Sequence, residues 1–122
     1  MAKFKYLNLN PKGVKAEDCV TRAITFATGL PYQTISEKLW LTANLYECDR
    51  LCRFCYSNFL TSVLKYKEVN CDGYTVNEFA DAHPYGNYLI SVPSHLTVIK
   101  EGVLYDIWDC RDEICDIVWK KV

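Results

Sequence analysis

The chain has 122 residues, one domain's worth, of which half are hydrophobic, 14% aromatic and 24% charged. That is enough apolar material for a core and too much for a disordered tail. The 14 basic and 15 acidic side chains leave a formal charge of −1, which argues against a bulk electrostatic grip on nucleic acid.

Residues 1–18 read as an irregular polar arm, with turn chemistry at Asn8-Leu-Asn-Pro-Lys-Gly13. Val20, Ala23, Ile24 and Ala27 then recur at helical spacing. Asp18 is placed to cap that helix, Cys19 falls in its first turn, and Gly29 stands where it stops. Pro31 suits the first turn of a second helix, with Ile35, Leu39, Thr42 and Leu45 on one face. Helical patterning continues loosely through Leu51, Phe54, Leu60 and Leu64, and the polar stretch 65–73 reads as a connection. Thr75-Val-Asn-Glu78 is a capping box that opens a short helix, closed by His83-Pro84.

After Gly86 the pattern changes. Segments 88–92, 95–99, 103–108 and 114–119 are rich in β-branched and aromatic residues and predict strands, with a hairpin at Glu101-Gly102. Helices first and strands afterwards predict a single α+β domain over 1–122, its N-terminal helices packed on a C-terminal antiparallel sheet. No apolar run approaches the roughly 18–20 residues of a membrane span, and Met-Ala-Lys-Phe-Lys-Tyr has no signal-peptide core. A cytoplasmic protein with seven reduced cysteines is expected.

A thiol attacks as its thiolate, and a helix N-terminus favours that charge. Cys19 has this position, and a base is needed beside it. Of the two histidines, His83 closes a helix, whereas His95 begins a strand that can hold an imidazole rigidly. A carboxylate on the returning strand would orient the ring. With a two-residue loop, Lys100 pairs with Val103, Thr97 opposes Asp106, and His95 and Asp106 share one face. A three-residue loop with a glycine bulge selects Asp109 instead. Asp106 is the predicted orienting acid and Asp109 the alternate. The competing reading of each residue is structural: a buried small thiol, a strand histidine, a turn-capping aspartate.

The order of these residues is that of papain-like cysteine peptidases. The chain resembles the small papain-fold members encoded by bacteriophages through Asn10-Pro-Lys-Gly13, Asp18-Cys-Val-Thr-Arg-Ala-Ile24, Gly86-Asn-Tyr-Leu-Ile90 and 95–110, His-Leu-Thr-Val-Ile-Lys-Glu-Gly-Val-Leu-Tyr-Asp-Ile-Trp-Asp-Cys. Residues 30–74 match only loosely. The resemblance implies Cys19 as nucleophile, His95 as base, and an aspartate in the Asp106 region as orienter. It implies peptidase or isopeptidase chemistry on a protein or peptide substrate, in the host cytoplasm, with no cofactor. The family's glutamine six residues before the nucleophile is Gly13 here, so Asn10 becomes the candidate oxyanion donor, beside the Cys19 N–H. Amidase, deamidase or transglutaminase chemistry could run on the same residues. A catalytically idle papain-fold module that inhibits a host defence protein is the main alternative.

Cys48-Asp-Arg-Leu-Cys52-Arg-Phe-Cys55 has the CxxxCxxC spacing of a radical SAM cluster loop. Here it lies within helical patterning, where positions 48, 52 and 55 fall on one helix face and read as packed thiols. A zinc-dependent module would need a fourth ligand, for which Cys71 is the candidate. Cys110 and Cys115 read as structural, Trp40, Trp108 and Trp119 as core, and Arg22 as a solvated helix charge.

Overall fold

The computed structural model describes residues 2–121. In chain order they form β1 (Lys3–Tyr6), α1 (Cys19–Thr28), α2 (Tyr32–Tyr46), α3 (Arg53–Asn58) running into a π-helical turn (Phe59–Val63), β2 (Tyr66–Val69), α4 (Val76–Ala82), β3 (Asn87–Val92), β4 (His95–Lys100), β5 (Val103–Asp106) and β6 (Ile117–Lys121). The class is α+β. The six strands make one sheet in the order β1-β5-β4-β3-β6-β2.

The predicted punctuation recurs in three places. Gly29 ends α1 in the left-handed conformation, at φ 72°, its N–H bonded to the Thr25 carbonyl. Thr75 and Glu78 form the reciprocal capping box of α4, and His83 follows its last residue. Glu101 (φ 51°) and Gly102 (φ 74°) make a two-residue loop, and Lys100 pairs with Val103. Two consecutive left-handed residues match the right-handed twist of the flanking strands, so this loop sets the β4–β5 register.

Other expectations are corrected. The N-terminal arm is not all irregular: β1 pairs with β5 in parallel, so the sheet is mixed and not purely antiparallel. Phe4 packs against the core from this edge strand. The polar segment after Lys65 is not only a connection, since β2 pairs antiparallel with β6 and buries Tyr66 while Lys67 and Glu68 face outward. Two exposed charges in succession suit an edge strand. Pro31 is the residue before α2 rather than inside it, and Leu45 is exposed whereas Ile35, Leu39 and Thr42 are buried. The third predicted strand ends at Asp106 because its Oδ1 accepts the N–H groups of Ile107 (2.7 Å) and Trp108 (3.3 Å), which turns the chain. The last strand begins at Ile117, Ile114 making only an isolated bridge to Thr75.

The cysteine run does not lie on one helix face. Glu47 ends α2 in the left-handed conformation and Cys48 N–H bonds the Ala43 carbonyl, so Cys48 follows one helix, Cys52 precedes the next, and Cys55 lies within it. Cys71 hydrogen-bonds the Cys115 carbonyl on the other side of the sheet, away from the three. Of the tryptophans only Trp119 is core; Trp40 is 53% exposed under the Arg50 guanidinium, and Trp108 is 42% exposed.

Strand alternation divides the core. Leu89, Leu96, Val98 and Trp119 pack against α1, α2 and α3 through Val20, Ile24, Ile35, Leu39 and Phe59. Tyr88, Ile90, Ile99 and Val118 pack on the opposite face against Val76 and Phe79 of α4, with Cys110 and Cys115. The first cluster pins α1 across β4, and thereby brings the start of the helix to the start of the strand.

Candidate active site

Cys19 is the first residue of α1 and His95 the first of β4, and the two side chains border the same grooves and interact electrostatically. His95 Nε2 lies 2.6 Å from Asp106 Oδ2, which leaves Nδ1 as the ring nitrogen available to the thiol. Thr97 Oγ1 donates to the same carboxylate oxygen at 2.7 Å. Asp106 thus receives His95 and Thr97 on one oxygen and two backbone N–H groups on the other, so its position is fixed from both ends. Asp109 is elsewhere: its carboxylate forms a two-pronged pair with Arg111, both contacts at 2.7 Å, and it accepts the Arg111 N–H, as a turn residue does. The two-residue loop therefore selects Asp106 as the carboxylate that meets His95.

Burial opposes charge on all three groups, yet each is shifted toward its charged form. At Cys19 desolvation works to raise the thiol pKa, but the His95 hydrogen bond, the Leu96 N–H and the charges of His95 and Arg22 outweigh it and lower the pKa. At His95 desolvation works downward, and the hydrogen bonds to Asp106 and Cys19 carry the imidazole up to about 9. At Asp106 the His95 and Thr97 contacts prevail over burial and hold the carboxyl below its ordinary range. All three shifts run toward the same arrangement, thiolate, imidazolium and carboxylate in a row.

Asp18 does not cap α1 through its side chain. Its carboxylate turns instead to Arg22, in close contact, to the Tyr32 hydroxyl (2.7 Å) and to the Asn10 amide (2.9 Å). The first-turn N–H groups beside Cys19 are therefore left without that cap. Asn10 is not brought to the thiol: its amide N–H goes to Asp18 and its oxygen accepts the Lys12 N–H. Arg22 is buried at 6% exposure, not a solvated helix charge.

Two grooves flank the Cys19–His95 pair. One, about 390 Å³, is lined by Cys52, Arg53, Tyr56, Ser91 and Ser94 among others; the second, about 430 Å³, by Ala16, Glu17, Arg22, Ile107 and Trp108 among others. Leu51, Ser94, His95 and Cys19 border both. The Trp108 indole stands edge-on to the imidazole at 4.9 Å and shields one side of it.

His95, Asp106 and Cys110 offer three donor atoms within 4.8 Å of one another. They do not suit a metal: the Asp106 oxygens are already taken by four donors, and burial pushes the Cys110 thiol up to about 12. Sequence reading missed Thr97, the buried state of Arg22, and the approach of Cys110 to the carboxylate. Thr97 alone carried a signal, since the same register that pairs Lys100 with Val103 sets it opposite Asp106. Comparison with known protein families, with curated proteins and with solved structures finds no match to the chain.

Proposed function

We propose that the protein is a papain-like cysteine hydrolase that cleaves an amide or isopeptide bond in a protein or peptide substrate. The observation that carries this reading is the ordered row Cys19, His95, Asp106, with the thiol lowered and the imidazole raised in spite of burial. Helices α1 to α3 packed on one sheet face, with the nucleophile at a helix start and the histidine on the neighbouring strand, are in keeping with a papain-like fold.

In the reaction the Cys19 sulfur adds to the carbonyl carbon, and the C=O electron pair moves to oxygen. The uncapped N–H groups at the start of α1, that of Cys19 first, are the donors for this oxyanion. The imidazolium gives its proton to the leaving nitrogen as the C–N bond breaks, leaving a thioester. Water then adds to the thioester, His95 taking its proton, and the acid product leaves as the thiolate reforms. Asp106 keeps the ring oriented and stabilises its charged form throughout. A second amine in place of water would give transamidation, and a glutamine side-chain amide would give deamidation.

A second reading, a binding module that keeps the fold without catalysis, is favoured by one feature: Trp40, Leu41, Leu45 and Phe54 are all more than half exposed. A chloromethyl-ketone or vinyl-sulfone peptide library separates the two. A hydrolase yields a covalent adduct mapped to Cys19 that disappears in His95→Ala; failure of every probe to label Cys19 under native conditions would sink the hydrolase reading.

A further inference from the structure

Arg22 is the one Lys or Arg of α1, and at 6% exposure it is held by ion pairing. Its guanidinium meets Asp18 in close contact, donates to the Ala16 carbonyl at 3.3 Å, and stands 3.8 Å from Asp106 Oδ1. That is the carboxylate oxygen His95 does not use, since His95 binds Oδ2. Asp18 is equally buried and is held in turn by Tyr32 and Asn10. Charge therefore alternates along one row of contacts: Asp18 negative, Arg22 positive, Asp106 negative, His95 positive, Cys19 negative.

We infer that Asp18 and Arg22 form a charge-balanced brace behind the site: Arg22 positions Asp106 through Oδ1, the oxygen that His95 does not use, and Asp18 holds Arg22 back from neutralising it. The inference rests on the thiolate–imidazolium reading of Cys19 and His95. Without Asp18, the guanidinium has no closer anion than Asp106, and it competes with His95 for that carboxylate. Without Arg22, no second cation competes with His95 for Asp106, while Cys19 loses a nearby cation. The other titratable groups facing the row are Tyr32 beside Asp18, Arg50 beyond Tyr32, Tyr56 toward Cys19, Cys110 toward Asp106, and Glu17 in the adjoining groove. None of them stands between the two carboxylates, whereas Arg22 contacts both.

A purely structural brace would tie the arm before α1 to the helix, and its loss would lower stability alone. The inferred brace also moves two titrations. The Cys19 midpoint is read from the pH dependence of iodoacetamide alkylation, and the His95 midpoint from its imidazole proton resonances. Arg22→Met should raise both midpoints and Asp18→Asn should lower both, each by about one unit. The paired variant Asp18→Asn/Arg22→Met leaves neither charge unpaired, so it remains usable where a single variant fails to fold. Its Cys19 midpoint should rise, by less than in Arg22→Met. Shifts of the same sign in both single variants, or wild-type midpoints in a folded paired variant, would overturn the brace. A wild-type Cys19 midpoint at the ordinary thiol value would instead overturn the ion-pair reading, and the His95 midpoints would still decide the brace.

Discussion

Cys19 and Cys110 both lose hydration on folding, the first half-buried and the second fully buried, yet their thiol pKa values shift in opposite directions. Burial dominates at Cys110, where Asp106 is the chief charge acting on the thiol, and the thiol is pushed up to about 12. At Cys19 the same burial is outweighed because the neighbouring charges are His95 and Arg22. Cys55 follows Cys110: burial comes first, its neighbours are Cys48, Cys52 and Asp49, and it too goes up to about 12. Desolvation amplifies whatever charge faces the sulfur. A thiol buried against cations is drawn toward its thiolate, and a thiol buried against anions is held protonated.

The most severe way to break this contrast is competitive labelling. With limiting iodoacetamide at pH 7, Cys19 should react at least about a hundredfold faster than Cys55, Cys110 or Cys115, because their thiolate fractions are minute. Mass mapping reads the order directly, and prior labelling at Cys110 or Cys52 would end the assignment. Next in size is the carboxylate pair. Asp106→Asn should cost about 10²–10⁴ in kcat/KM, whereas Asp109→Asn, which loses only its Arg111 partner, should stay within about twofold. Both variants need a matching thermal melt, and the opposite ranking would mean that the loop register is off by one.

A subtler effect concerns pH. Because His95 rises from 6.5 to about 9 on folding, it contributes stability that is fully present below about 6.5 and is lost as pH climbs toward 9. The lowered Cys19 pKa acts in the opposite sense, adding stability as pH rises. Cys19→Ser removes that second titration, so its Tm should fall between pH 6.5 and 9 more steeply than that of the wild type. Equal slopes would show that His95 is not held charged. The smallest effect is expected at Thr97, whose hydroxyl is one of four donors on Asp106. Thr97→Val should weaken Asp106 orientation by about 1 kcal/mol and slow Cys19 alkylation several-fold; a loss as large as that of Asp106→Asn would mean that Thr97 carries the carboxylate alone.

What could be read before folding was local. Asp18-Cys19 at a helix start, Thr75 with Glu78, and Glu101-Gly102 each act within a few residues, where backbone geometry and capping leave few alternatives. Glu101-Gly102 went furthest, since a two-residue loop dictates strand register and through it chose Asp106 over Asp109. The cysteine run at 48–55 shows the limit. Its helical spacing is real, but Glu47 ends α2 in the left-handed conformation, and no Gly or Pro announces it.

Tertiary structure decided the rest, because the partners lie far apart in sequence. Lys3–Tyr6 becomes a strand only when β5 offers it a parallel edge, and polar residues with one apolar face do not reveal such pairing. The Asp18 side chain is a good cap in isolation, yet it abandons the helix start for Arg22, Tyr32 and Asn10. Trp40 and Trp108 have core composition and surface positions. The sequence by itself determined where the thiol, the imidazole and the carboxylate sit on their elements. Only packing of α1 across β4 decided what surrounds each, and because charge energies depend on distance and desolvation, the lowering of the Cys19 pKa was decided there.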